Sequence, residues 1–293
     1  MSHIKKFAFI LFISFLIVNI SFNPAVHGTE NKDMHVHFID VGQGDSILIE
    51  TPSQKSILID GGPPESGKKV VTYLKDQGIA ELDLLIATHP DIDHIGGLLH
   101  VMREFPVKKI IDSGKLHTTK TYAKYIEHIW KYKIPVEIAK VDDTIPIDPE
   151  LSIDILNSYS RAKTNNDSSI VLKVNYKEVS FLFMGDLEKK QEKKLANMEG
   201  LDADIIKVAH HGSKTSSSFE FLQRVKPQIA ILTYSKQNEF GHPVDRVIHN
   251  LNKINALIYS TAVFGDLVIR TNGDGYFILP EKSPIDSLFE QTS

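Results

Sequence analysis

Asp83-Leu-Leu-Ile-Ala-Thr88-His89-Pro-Asp91-Ile-Asp93-His94-Ile-Gly96-Gly97 is an apolar run that passes directly into a polar turn. The apolar part, Leu82–Thr88, reads as a buried strand. In the turn, four side chains able to ligate a metal fall within six residues. A turn at a strand end curls around a common centre, so such side chains can point inward together. Histidine offers a neutral nitrogen and aspartate a hard anionic oxygen, a mixture that suits zinc, manganese or iron. A pair of cations would neutralise the crowded carboxylates of Asp91 and Asp93. The plainer alternative is a surface turn that happens to carry two histidines. Gly96 and Gly97 let the helix predicted over Gly96–Phe105 begin close to the turn.

One turn cannot enclose two cations, so partners are sought at other strand ends. Gly185-Asp186 follows the apolar strand Val179–Met184, and Asp186 there could bridge two ions. Taken alone, Asp186 reads better as an N-cap for the helix Glu188–Asn197. His210-His211-Gly212-Ser213 follows the strand Asp204–Ala209; adjacent side chains point in different directions, so one of the two histidines is expected to ligate. Phe240-Gly241-His242-Pro243 precedes the helix Pro243–Ile254 and adds His242. Repetition at strand and helix ends links these pieces, since an α/β scaffold assembles its site from loops at one edge of its sheet. Lys214, Thr215 and Ser216 are candidate hydrogen-bond donors to a bound substrate, or else lead to an N-cap near Ser217 or Ser218. Asn165 and Asn166 are likewise candidate substrate donors, or else ordinary turn residues.

Outward from this centre, strands and helices alternate. Strands are predicted at Met34–Val41, Ser46–Glu50, Ser56–Ile59, Lys109–Ser113, Val136–Ala139, Leu151–Leu156, Ser169–Val174, Ile229–Thr233, Leu257–Tyr259, Asp266–Arg270 and Tyr276–Leu279. Further helices are predicted at Ser66–Gln77, Thr119–Tyr132 and Ser218–Val225. Two β-rich halves with helices outside make a single α/β domain over 34–280. No 20–50-residue repeat is present.

The 293 residues allow one large core. Thirty-three basic against 37 acidic residues give a formal charge of −4, which does not suit a strongly basic nucleic-acid binder. Lys189, Lys190, Lys193 and Lys194 form the densest basic cluster and read as a solvated helix face. There is no cysteine, so disulfides, thiolate metal sites and cysteine nucleophiles are excluded, and any metal must rest on His, Asp, Glu or carbonyl groups. Lys5 and Lys6 precede an apolar run to Ile20, with Asn23-Pro24 and small residues following. This is the layout of a secretory signal peptide over residues 1–28, with an uncleaved anchor as the alternative. Either places the folded part in a secreted or extracytoplasmic location. Its loss would remove two lysines and no acid, leaving 31 basic against 37 acidic residues and a charge of −6. Residues 29–33 read as a linker and 281–293 as a flexible tail.

Six motifs in order, Ile39–Asp45, Ile59–Gly62, Thr88–Gly97, Met184–Asp186, His210–Ser216 and Gly241–Pro243, resemble the metallo-β-lactamase superfamily. More narrowly, they resemble the branch that contains the hydrolase-like domain of the competence DNA-uptake protein ComEC. The likeness covers about residues 34–279. It implies a four-layer αββα sandwich and two divalent metal ions, with zinc favoured and manganese made more acceptable by the extra carboxylate. By the resemblance, His89, Asp91 and one of His210 and His211 hold one ion. Asp93, His94 and His242 hold the other, Asp186 bridges, and Asp60 and Asp45 brace the ligands from behind. Asp91 stands where the broader superfamily has a second histidine, and its usual third-motif histidine has no clear counterpart; Asn165–Ser169 occupies that region. Both departures argue against an antibiotic-cleaving enzyme.

The resulting expectation is hydrolysis by a hydroxide shared between the cations, with Asp93, His210 and His211 in the reacting zone and Asn166, Lys214, Thr215 and Ser216 at the substrate. A phosphodiester, in DNA or in cell-wall decorations, is the expected substrate. An ester, lactone or lactam on the same site, or a non-catalytic binding module, are the alternatives. No obligate protein partner is evident, and the oligomeric state is left open.

Overall fold

The computed structural model describes residues 33–159 and 164–283. The expected export segment, all of the linker but Asp33, and the tail from residue 284 lie outside the described residues. Fourteen strands are described: β1 (Met34–Phe38), β2 (Ile47–Glu50), β3 (Ser56–Ile59), β4 (Leu84–Ala87), β5 (Ile110–Asp112), β6 (Val136–Ile138), β7 (Leu151–Asn157), β8 (Val171–Tyr176), β9 (Val179–Phe183), β10 (Ile205–Lys207), β11 (Ile229–Leu232), β12 (Leu257–Ser260), β13 (Leu267–Thr271) and β14 (Tyr276–Pro280). The α-helices are α1 (Gly67–Asp76), α2 (Ile92–Ile95), α3 (Leu98–Glu104), α4 (Lys120–Tyr132), α5 (Lys189–Leu195), α6 (Phe219–Val225), α7 (Asp245–Lys253) and α8 (Thr261–Phe264).

The strands form two sheets. One has eight strands in the order β14-β13-β1-β2-β3-β4-β5-β6, the other six in the order β12-β11-β10-β9-β8-β7. Alternation along each strand explains how they stack. Ile57 and Ile59 of β3 face a core between the sheets, shared with Phe38, Ile86, Leu172, Phe181 and Ile231. Leu58, between them, faces a second core with Val70 and Leu74 of α1, Leu98 and Val101 of α3 and Tyr125 of α4. On the second sheet, Leu182, Ile206 and Ala230 turn outward against Leu195 of α5, Phe221 of α6 and Leu251 of α7. The result is the αββα sandwich. Strands covered on both faces have no polar alternation, which is why they read as continuous apolar runs.

Pairing is parallel between β3, β4, β5 and β6 in the first sheet and among β9, β10, β11 and β12 in the second. The carboxyl ends of β3, β4, β9, β10 and β11 therefore share one rim of the sandwich, the usual place for a site in such sheets. Among the described residues, no helix is long and apolar enough to cross a membrane.

Several boundaries differ from expectation. The polar turn after β4 is itself one helical turn, α2. β10 stops at Lys207, because Ala209–Gly212 turns into a 3-10 segment in which His210 and His211 both adopt left-handed backbone, at φ 51° and 54°. Two consecutive non-glycine residues in that region cost about 1–2 kcal/mol each. Such cost is found where a site needs the geometry.

Candidate metal centre

Each strand of the rim delivers one piece. β3 ends at Asp60, which is fully buried and itself left-handed at φ 57°. Its Oδ1 accepts from the Thr88 backbone N–H at 2.9 Å, and its Oδ2 accepts from the Thr88 hydroxyl at 2.6 Å and from His94 Nδ1 at 2.7 Å. Asp60 thus ties the end of β3 to the β4 turn and fixes the His94 tautomer, leaving Nε2 to face inward. The two loops touch so closely that a Cβ on Gly97 would lie 1.9 Å from the Gly61 carbonyl oxygen, so only glycine fits at Gly97. His89 has its Nδ1 3.0 Å from the Thr88 hydroxyl. His211 donates from Nδ1 to the Thr233 carbonyl at 2.7 Å, at the end of β11. His210 Nδ1 lies 3.1 Å from the Thr215 hydroxyl.

The inward-facing atoms fall into two groups around Asp186, at the end of β9. Asp186 Oδ2 lies 3.8 Å from His89 Nε2 and 3.7 Å from His210 Nε2, and His89 Nε2 is 3.6 Å from Asp91 Oδ2. Asp186 Oδ1 lies 3.4 Å from His94 Nε2 and 3.6 Å from His211 Nε2, and His211 Nε2 is 3.4 Å from Asp93 Oδ2. Each oxygen of one carboxylate thus serves a separate His-His-Asp set. His89 Nε2, His94 Nε2, His211 Nε2, Asp186 Oδ1 and, at the cleft, His242 Nδ1 are buried without a hydrogen-bond partner. An unmet buried polar atom costs about 1–3 kcal/mol. Five at one site, all nitrogen or oxygen donors, fit a divalent-cation centre.

Charge is distributed accordingly. Burial opposes ionisation of Asp186, yet His211, His94 and His210 hold its carboxyl well below the ordinary carboxylate range. Burial also opposes Asp93 and Asp91, and His211 beside the first and His89 beside the second outweigh it. His94 and His211 are disfavoured as cations by burial but pushed above 6.5 chiefly by Asp186, with Asp60 helping at His94 and Asp93 at His211. Burial lowers His210. His242 falls to about 4 through burial and the neighbouring His210 and His211.

The geometry differs from expectation at several residues. Both histidines of the 210–211 pair face Asp186, because successive left-handed residues swing the two rings onto opposite oxygens. His211 sits with Asp93 and His94 on one side of Asp186. His242 stands against the rings of His210 and His211, at centroid distances of 5.5 and 6.4 Å. Ser216 does not face a ligand: it is fully buried, and its hydroxyl donates to the Ala209 carbonyl at 2.9 Å, bracing the histidine turn. Asn165 and Asn166 reach the metal-centre side chains themselves. Asn165 donates to Asp91 Oδ1 at 2.5 Å, and the Asn166 amide nitrogen is 3.3 Å from His210 Nδ1. Lys214 is exposed, and its carbonyl accepts from Lys189 at 2.7 Å. Asp186 is not the helix cap; Glu188 holds that position.

Sequence reasoning missed Lys207. It is completely buried, its ammonium contacts Asp45 Oδ2, and it lies 3.3 Å from the Gly185 carbonyl. Asp45 in turn accepts from the Thr233 hydroxyl at 2.6 Å and stands 3.5 Å from His211 Nδ1. Burial works against the Asp45 charge, but Lys207, then His211 and His94, keep its carboxyl below the ordinary range. A lone lysine in the apolar run Ile205–Ala209 was the available signal. Asp91, Asp93, Asp186, His210, His211 and His242 open onto a cleft of about 290 Å³, whose mouth adds Gln43, Ile92, His117, Thr119 and Phe240.

An αββα sandwich with a two-sided His/Asp cluster on its strand-end rim is the frame of a metal-dependent hydrolase. The chain belongs to the metallo-β-lactamase superfamily, whose family model matches residues 39–235. Within it, the chain is similar to competence and recombination proteins. It is 31% identical over 259 residues to ComE operon protein 3 of Bacillus subtilis (strain 168), covering 82% of this chain and 33% of that protein. It is 29% identical over 245 residues to Recombination protein 2 of Haemophilus influenzae, covering 81% and 28%. The chain spans about a third of the length of these curated relatives. The crystal structure of the metallo-β-lactamase fold protein YhfI from Bacillus subtilis superposes with a TM-score of 0.55 at 12% identity, covering 81% of this chain and 100% of that one. At that identity the likeness speaks for the fold.

Proposed function

We propose that this chain is a two-cation hydrolase of phosphodiesters that works outside the cytoplasm. The observation that carries the reading is the division of labour on Asp186, one oxygen to His89, Asp91 and His210 and the other to Asp93, His94 and His211. These seven residues would hold the ions, zinc in the first instance. Bound there, divalent cations supply Lewis acidity toward a phosphoryl oxygen and lower the pKa of water from about 16 toward neutrality.

The chain's own groups do the positioning. Asp60, Thr88 and Thr233 lock the rings of His94, His89 and His211 so that each presents Nε2. Asp93, partly open to the cleft, orients the attacking water. Gln43, His117 and Thr119 at the mouth supply hydrogen bonds to a phosphate group. DNA and phosphodiester-linked cell-wall polymers both fit this chemistry. The extracytoplasmic location rests on the layout of residues 1–28, and N-terminal sequencing of the protein recovered outside the cell checks it.

Parallel assays on bis-p-nitrophenyl phosphate, a lactone and nitrocefin test the substrate class. Phosphodiester turnover is expected to dominate; a preference for lactone or nitrocefin would overturn the reading. His211→Ala should lose one of the two bound cations of the centre, whereas His242→Ala should retain both, as read by metal analysis of the purified variants.

A pH dependence follows from His94 and His211. Without metal, their protons neutralise Asp186 and Asp93. Because their folded values are raised above 6.5, the stability they contribute is fully present below pH 6.5 and lost as pH rises through the raised values. A cation must displace those protons, so zinc affinity rises with pH. Through these two residues chelated protein should melt higher at pH 6 than at pH 8, an effect reduced by His210 and His242, whose lowered values act in the opposite direction, and zinc-saturated protein should gain more from zinc at pH 8.

A further inference from the structure

A second group of donors lies at the opposite end of β1 from the strand-end rim, beside a larger cavity of about 570 Å³ that His35 and Glu50 line and that is bounded by the β2–β3 turn and the end of α1. His35 and His37 are two apart on β1, so both project from the same face of the strand. The opposite face, carrying Met34, Val36 and Phe38, is occupied by the inter-sheet core. Glu50 of β2 is paired with His35 in the antiparallel register. Its Oε1 lies 2.9 Å from His37 Nε2 and 3.8 Å from His35 Nδ1. One donor atom from each of the three falls within 4.8 Å of the other two.

Two details go beyond proximity. The Tyr73 hydroxyl of α1 lies 2.9 Å from His37 Nδ1, which is how an outer partner fixes the ring of a ligating histidine and leaves Nε2 for the ion. His35 keeps its Nε2 buried with no hydrogen-bond partner, although the residue borders the cavity. The ion partners of Glu50 among the described residues are these two imidazoles.

We propose that His35, His37 and Glu50 form a separate zinc site, independent of the strand-end centre, that clamps β1 to β2 beside the start of the folded domain. Two imidazoles and one carboxylate are a zinc donor set, and the cavity side stays open for water as a fourth ligand. No residue of this group takes part in the proposed hydrolysis.

Zinc titration of the full chain against a competing chromophoric chelator tests the site, with His35→Ala, Glu50→Gln and Asp186→Asn run alongside and circular dichroism confirming the fold. Wild type is expected to bind one zinc equivalent more than His35→Ala, while phosphodiester hydrolysis by that variant is unchanged. Glu50→Gln should weaken the same equivalent by about tenfold or more. Asp186→Asn should keep it while losing the zinc of the strand-end centre, so failure of either site is seen separately. Equal zinc number and affinity in wild type and His35→Ala would overturn the proposal.

Discussion

Asp186→Asn should lose both cations of the strand-end centre and hydrolyse phosphodiesters more than about 100-fold more slowly than wild type. Changes to the outer partners of metal ligands cost about 10–100-fold, and Asp186 faces both donor sets directly. The amide keeps the shape of the side chain but removes the charge that faces His94, His211, His89 and His210. A variant of His89 or His94 alone, each on one side of the carboxylate, should lose one ion more readily than two. Metal content measured beside the hydrolysis rate separates these cases. Asp186→Asn retaining wild-type turnover and both ions would refute the role given to its two oxygens.

Lys207→Met should lower the stability of the metal-free protein by about 3–5 kcal/mol, the usual result of removing one partner of a buried ion pair. Lys207 is fully buried and Asp45 is 2% exposed, so water cannot take the place of the ammonium. For a domain of this size the corresponding fall in melting temperature is on the order of 10 °C. The double variant Lys207→Met with Asp45→Asn should recover much of that loss, because it no longer strands a charge. Thermal melts of the two singles and the double close the cycle. A Lys207→Met single that melts like wild type would mean that the pair does not carry the base of the second donor set.

Much of the fold was legible because its strands are covered on both faces. Ser56–Ile59 was read to the residue, since Ile57, Leu58 and Ile59 are all buried and glycines and prolines bound the segment. The rim was legible because His89, Asp91, Asp93 and His94 are contiguous and Asp186 closes an apolar run. The division of ligands between the two sides was not. It depends on His210 and His211 both taking left-handed backbone, a conformation that residue type does not announce outside glycine. The resemblance alone places His242 with Asp93 and His94. Lys207 was passed over for a different reason. It shares a strand face with Ile205, which lies in the inter-sheet core, but it sits at the rim, where that face meets Asp45. Alternation alone gives the face of a residue, not whether a carboxylate waits at the end of it. Ser216 shows the converse: a polar residue in a motif can be there to hold a turn.

The most direct measurement is anomalous diffraction from crystals of the zinc-loaded protein. The account predicts two peaks at the strand-end rim roughly 3.5–4 Å apart, one on each oxygen of Asp186, with His89, Asp91 and His210 around the first and Asp93, His94 and His211 around the second. A single peak there, or a second peak held by His242 with His211 turned away, would contradict it.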